Sequence, residues 1–180
     1  MRCYTLRNKQ GLALIAVALV LGGCGGMPKN AEEFRQHALQ AKSAGLGVLG
    51  ASVETFEVAR PFQEVSSTLQ KKAGECLNVA VKWTASSGLG SRSGVNTYKP
   101  TFVANSKRAE LHVQFKRSGV VEVGSPPEGP YRIVLDATPL AAKRTRIDMY
   151  TMSMDDNLLR KALRGWAQGD NLGCPDLTKR

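Results

Sequence analysis

The chain has 180 residues, with 25 Lys and Arg against 15 Asp and Glu, giving a formal net charge of +10 at pH 7. That length accommodates one ordinary domain with a single hydrophobic core rather than an array of domains. The cationic excess favours anionic partners such as phospholipid head groups, lipopolysaccharide or acidic polymers.

Residues 1–9 carry Arg2, Arg7 and Lys9 and no acid, and Leu12 to Leu21 is an unbroken apolar run of ten residues. A basic start, a short apolar core and small residues before a cut describe a signal peptide. The run falls well short of the ~20 residues that span a bilayer. Leu21-Gly22-Gly23-Cys24 closes the segment. With Cys directly after Leu-Gly-Gly, residues 1–24 resemble the lipobox of bacterial lipoproteins, in which the cysteine sulfur receives a diacylglycerol before cleavage.

The resemblance implies removal of residues 1–23 and a covalent lipid on Cys24; no cofactor motif stands in the sequence, and none besides that lipid is expected. The mature chain would keep 157 residues, with 22 cations against 15 acids, a net charge of +7. It further implies anchorage in the bacterial cell envelope. Gly25 rather than Asp after the cysteine is similar to the signal for sorting to the outer membrane, facing the periplasm. An exported protein does not meet the cytosolic pool of nucleic acid, so nucleic acid is excluded as a partner. Of the four cysteines, Cys3 leaves with the signal and Cys24 takes the lipid. Cys76 and Cys174 remain, an even pair in a compartment that permits disulfides, and they are expected to be bonded to each other.

Residues 24–50 read as a lipidated tether holding a domain of residues 51–180 off the membrane. Asn30 with Glu33 three residues later has the form of a capping box, and 31–44 is expected to be a short helix with Phe34, Ala38 and Ala41 on one face. His37 stands among polar neighbours and is expected to be solvated. From Ser52 the chain predicts a strand through Val58, ending at Arg60-Pro61. Phe62, Val65, Leu69, Ala73 and Cys76 recur at three- and four-residue steps, an amphipathic helix. Val79, Val81 and Trp83 then alternate with polar residues as a half-buried strand. Residues 86–94, rich in Gly and Ser, read as a flexible connection.

Tyr98 to Ala104 is extended, with Pro100 marking an edge or a bulge. Ala109, Leu111, Val113 and Phe115 alternate with Glu110, His112, Gln114 and Lys116, and Val120, Val121 and Val123 extend that sheet. Tyr131, Ile133 and Leu135 form the next alternation, followed after a turn near Pro139 by Ile147, Met149 and Thr151. Ser153 with Asp156 resembles a second capping box, with Asp155 and Asp156 at the positive end of a closing helix. Leu158, Leu159, Ala162, Leu163 and Trp166 form its apolar stripe, and Gly169 its stop. The expected architecture is α+β: an antiparallel sheet of about four to six strands, with two amphipathic helices on one face and the other face open. This element order is similar to the helix-grip-like domains of some outer-membrane lipoproteins, including the BamC component of the β-barrel assembly machinery.

Neither histidine stands in a catalytic motif, and His112 is expected to be solvated on a polar strand face. Cys76 and Cys174 lack neighbours at zinc-ligand spacing. Gly88, Gly90 and Gly94 lack the Lys-Ser/Thr ending of a phosphate-binding loop. Trp83 and Trp166 fall on apolar stripes and are expected in the core. Lys82, Lys116, Arg132, Arg144 and Arg146 all fall on predicted polar strand sides. Arg132, Arg144 and Arg146 are candidate contacts for an anionic partner. Ordinary solubilising charge, with Glu110, Asp136 and Asp148 as cross-strand partners, is the simpler account of the same residues. The leading functional expectation is a non-catalytic lipoprotein that binds another envelope protein or an anionic envelope component. The competing expectation is a carrier or sensor of a lipid or other amphiphile held between helices and sheet. An envelope hydrolase would need a cleft acid or nucleophile that the pattern does not offer.

Overall fold

The structure of the protein, a computed structural model, describes residues 26–46, 51–88, 90–120, 123–153 and 156–178. Cys24 and the rest of the lipobox, together with Val121 and Asp155, lie outside the described residues. The described elements run in the order α1 (Ala31–Ser43), β1 (Ala51–Val58), α2 (Phe62–Cys76), β2 (Val79–Ser87), β3 (Gly90–Ala104), β4 (Ala109–Arg117), β5 (Tyr131–Ala141), β6 (Arg144–Met152) and α3 (Asn157–Gln168). The strands form one sheet in the spatial order β1-β6-β5-β4-β3-β2, every pair antiparallel. The α+β class expected from the sequence holds. Strands β2 to β6 follow one another across the sheet, and β1 adds to the far side of β6, so α2 carries the chain from one edge to the other. Among the described residues no helix is long and apolar enough to cross a membrane.

The helices form where the apolar period demands. Pro61 occupies the N-cap of α2 at φ −57°, and the buried residues that follow are Phe62, Val65, Leu69, Ala73 and Cys76, the full stripe read from the sequence. In α3 the buried stripe is Leu159, Ala162, Leu163, Gly165, Trp166 and Ala167, whereas Leu158, expected within it, is 41% exposed. Both stripes join one core with Leu111, Val113, Ile133, Leu135, Ile147 and Met149 of the sheet. Each such side chain contributes about 1.5–3 kcal/mol on burial. Gly169 ends α3 at φ +91°, a left-handed turn suited to glycine. Arg60 donates to the carbonyls of Trp166 and Ala167 at 3.2 and 3.1 Å, setting a cation on the negative end of that helix.

Cys76 and Cys174 form a disulfide with their Cα atoms 5.0 Å apart, joining the end of α2 to the chain beyond α3. The segment before Cys174 is also held. The Leu172 carbonyl accepts from the Trp166 indole N–H and from Lys72 Nζ, each at 3.3 Å.

Several expectations change. Residues 86–94 are no loose connection: Ser86 pairs with Ser91 and Ser87 with Gly90, so β2 and β3 form a hairpin. Gly94 lies opposite Trp83, and a Cβ there would come within 2.9 Å of three indole atoms. The ring therefore covers the glycine and stays half-buried on the ribbon instead of entering the core. Pro100 lies beyond Tyr98, the last β3 residue paired with β2, in the edge position that proline tolerates. Val120 and Val123 do not extend β4, which ends at Arg117; Gly119 turns the chain at φ +76° and Val123 is 87% exposed. Pro139 sits within β5, and the turn to β6 comes after Ala141.

Helix α1 is not part of a tether, and the second sheet face is not open. Ala31 and Phe34 bury themselves against Val134 of β5, flanked by Tyr131 and Tyr150. Val134 alternates with Ile133 and Leu135 of the main core, so α1 packs on the face opposite α2 and α3.

Candidate functional site

The densest polar chemistry among the described residues lies beneath α1. The helix starts where the sequence places it. Asn30 Oδ1 accepts from the Glu33 amide at 2.8 Å, while the Glu33 carboxylate accepts from the Lys29 amide at 2.8 Å and from Asn30 Nδ2 at 3.0 Å. That cap fixes the helical phase, which directs Phe34 and Ala38 toward the sheet and carries Arg35 in with them; all three are buried. The Phe34 and Tyr131 rings lie 5.9 Å apart.

Arg35 meets two carboxylates presented by adjacent strands. Its Nε donates to Asp136 Oδ2 at 2.8 Å and its Nη2 to Asp136 Oδ1 at 2.7 Å, a two-pronged pair in which each side chain is 7% exposed. Nη2 also donates to Glu110, and Nη1 to Glu32 one turn back on α1 at 3.1 Å. Register places Glu110 opposite Asp136. Arg108 closes the group from the sheet side, 2.9 Å from Asp136 and 3.5 Å from Glu110. His112 Nε2 lies 3.2 Å from the Glu110 carboxylate, with its ring edge-on to Tyr131. The histidine is 15% exposed, not solvated, because α1 covers the face it stands on.

Charge is strongly held here. Burial alone would push the Arg35 pKa down, but the Asp136 and Glu110 carboxylates raise it above its ordinary value. Burial pushes Glu110 up, and hydrogen bonds from Arg35 and His112, with the charges of Arg35 and Arg108, more than reverse this, so its carboxyl titrates below the usual range. Burial raises the phenols of Tyr131 and Tyr150. Glu110 is thereby held as an ionised acceptor for its cationic partners. The arrangement ties residues 75 and 101 positions apart into one cluster.

Its pH dependence follows from that direction. A carboxyl whose folded pKa is depressed stabilises fully above its unfolded value, about 4.3 for Glu, and loses the contribution as pH falls through the folded value. Backbone amides of α1 should therefore lose protection between about pH 6 and pH 3, more than those of β5. Hydrogen exchange corrected for intrinsic rates measures this, and equal α1 protection at both ends would remove Glu110 from the docking energy.

The candidate basic face does not assemble. The β4–β5 register shifts between Val113, paired with Ile133, and Gln114, paired with Tyr131, leaving Arg132 as the extra residue of a bulge. Arg132 turns to the α3 side, where it bonds Asp156 at 2.7 Å and lies over the Phe115 ring, 5.2 Å from its centroid. The N-cap of α3 is Asp156, three residues beyond the Ser153 expected there; its side chain makes no capping hydrogen bond and its carboxylate accepts from Arg132. Arg144 is exposed and meets Glu57 at 3.3 Å. Arg146 is exposed and holds Asp148 at 2.9 Å. Arg144 thus meets an acid of neighbouring β1 and Arg146 an acid of its own strand, where the simpler account named Glu110, Asp136 and Asp148 as cross-strand partners. Lys82 is exposed on the β2 edge, and Lys116 donates to the Pro127 carbonyl at 2.9 Å. His37 is half-buried in a shallow depression with Ala41, Ala44 and Met152.

Arg35, Arg108, Glu110 and Asp136 were not read as a group. The available signal was Asp136 inside the otherwise apolar run 133–137, and Arg35 between Phe34 and Ala38 on the helix stripe. Among the described residues no group of three or more His, Cys, Asp or Glu gathers as metal ligands.

No protein-family model and no curated protein matches the chain. Among solved structures it is similar to the di-domain ARO/CYC BexL from the BE-7585A biosynthetic pathway, with a TM-score of 0.30 and 11% identity. The match covers 65% of this chain and 44% of that one. A likeness this shallow carries no argument about function.

Proposed function

We propose that the protein is a lipid-anchored, non-catalytic binding module of the bacterial envelope. In this reading the lipid on Cys24 holds it in the outer membrane facing the periplasm, and it binds an envelope protein or an anionic envelope component. The observation that carries the reading is the Arg35 clamp. Helix α1 begins seven residues after Cys24, and Arg35 ties it to β4 and β5. An anchor at Cys24 then holds the whole domain close to the bilayer instead of swinging it on a long tether.

The competing reading, an amphiphile carried between helices and sheet, would need room in a layer that holds many of the domain's own apolar side chains. Val65, Leu69, Leu111, Leu135, Ile147 and Trp166 are each fully buried there. A surface partner is favoured on that ground.

The anchor rests on one sulfur atom. Each buried acyl methylene contributes roughly 0.8 kcal/mol, and more than one chain is needed for stable attachment. Cys24→Ser should abolish incorporation of labelled fatty acid and shift the protein out of the detergent-soluble membrane fraction. Undiminished lipid labelling of the variant would sink the anchor.

A further inference from the structure

We infer that the end of the domain nearest Cys24 forms a second membrane contact, resting on anionic phospholipid head groups of the leaflet that holds the anchor. The inference deepens the lipid-anchored reading and rests on it. Chain length sets the geometry. Met27 is three residues from Cys24, and at about 3.6 Å per residue it cannot stand more than about 11 Å from it. The head-group layer is itself about 6 Å deep on each side. Met27 is therefore held at the membrane surface by covalent reach alone.

Met27 brings a particular surface with it. Its sulfur accepts from Ser125 Oγ at 2.9 Å, which sets the start of the chain against the loop before β5. The same loop is bonded to the end of β4 through Lys116 Nζ and the Pro127 carbonyl. Lys116, Arg117, Val120, Pro126 and Pro127 line a shallow concavity of about 280 Å³ beside it. Three apolar side chains crowd this end: Met27 is 44% exposed, Val120 49% and Val123 87%. Lys116 and Arg117 stand beside them in the lining of that concavity. Lys116 gives its ammonium to a neutral carbonyl, which leaves its charge in place. Glu128, an acid of the same loop, is matched by Lys99 at 2.7 Å, which holds its carboxyl below the usual range. Exposed apolar tips beside basic side chains suit the boundary between head groups and acyl chains. Each cation near an anionic surface contributes about fivefold in partition.

The test uses mature lipoprotein in phosphatidylcholine vesicles with or without phosphatidylglycerol, doped with a photoreactive phosphatidylglycerol. Lipid adducts mapped by mass spectrometry should concentrate in peptides covering 26–29 and 116–126. They should fall at least tenfold in a Lys116→Glu, Arg117→Glu variant and on raising salt to about 1 M, where the Debye length shrinks to ~3 Å. Val123→Glu, at a residue 87% exposed, gives an independent arm that should lower labelling without moving the melting temperature. Adducts spread evenly over the domain, or indifferent to both variants and to salt, would overturn the patch. Loss of labelled lipid with gain of a crosslinked envelope protein at the same peptides would overturn it in favour of a protein partner. The mass of the N-terminal peptide reports acylation of Cys24 separately. Acylation with diffuse adducts removes the patch alone. Patch adducts on phosphatidylglycerol vesicles without acylation remove the anchor alone.

Discussion

Replacing Cys76 and Cys174 together with alanine should lower the melting temperature by about 10–15 °C while leaving a folded protein. The bond closes a sequence separation of 98 residues, nearly the whole domain. In the chain-entropy model a loop near 100 residues is worth about 4.7 kcal/mol, and measured losses of native disulfides run at about 2–5 kcal/mol. For a chain of this size each kcal/mol moves the midpoint by roughly 2–4 °C. The tail keeps other ties, because the Leu172 carbonyl remains bonded to Trp166 and Lys72, so the segment loosens without being released. Wild-type protein melted in reductant should fall to the same midpoint as the variant. Two freely alkylated thiols in unreduced protein, or an unchanged midpoint in reductant, would refute the account.

Arg35→Ala should cost about 3 kcal/mol and free α1 from the sheet before the core unfolds. Breaking a buried ion pair on one side typically costs about 3–5 kcal/mol, because the remaining charge is left buried. Arg108 stands 2.9 Å from Asp136 and softens the loss, which places the expectation at the lower end. The cost belongs to the orphaned carboxylate more than to the lost attraction. A paired replacement, Arg35→Met with Asp136→Leu, should therefore recover most of the stability. Chemical denaturation gives the free energies, and hydrogen exchange along α1 locates the change. A double variant no better than Arg35→Ala would show that the pair holds α1 by attraction and not merely by avoiding a stranded charge.

Local pattern carried most of the fold. The α2 stripe from Phe62 to Cys76, the alternation of Leu111, Val113, Ile133, Leu135, Ile147 and Met149, and the Asn30–Glu33 cap are all properties of neighbouring residues, and each stands where the sequence puts it. The unread parts depend on partners far along the chain. Gly and Ser over 86–94 favour a loop in isolation, but the ladder opposite them and the Trp83 indole over Gly94 make a hairpin. Arg132 breaks the two-residue period because one bulge residue shifts the phase, and no local signal marks the bulge. Helix α1 looked weakly apolar because Arg35 is buried in its stripe beside Ala31, Phe34 and Ala38. Its acids lie 75 and 101 positions away, beyond any window of periodicity.

The place of β1 has a consequence for how the chain comes together in time. Among the described residues every other strand hydrogen-bonds to a sequence neighbour, but β1 pairs only with β6, from Ala51 with Met152 to Val58 with Thr145. A ribosome releases residues in order, so β1 is made about a hundred residues ahead of its mate, and pairings that distant are slow to close. In the interval its backbone donors and acceptors are an open template for another chain, the hazard that attends slow sheet formation. One early companion is at hand, since Lys42 on α1 reaches the Val53 carbonyl at 3.0 Å across only eleven residues. A nascent chain halted before Arg144 holds β1 with no strand to receive it.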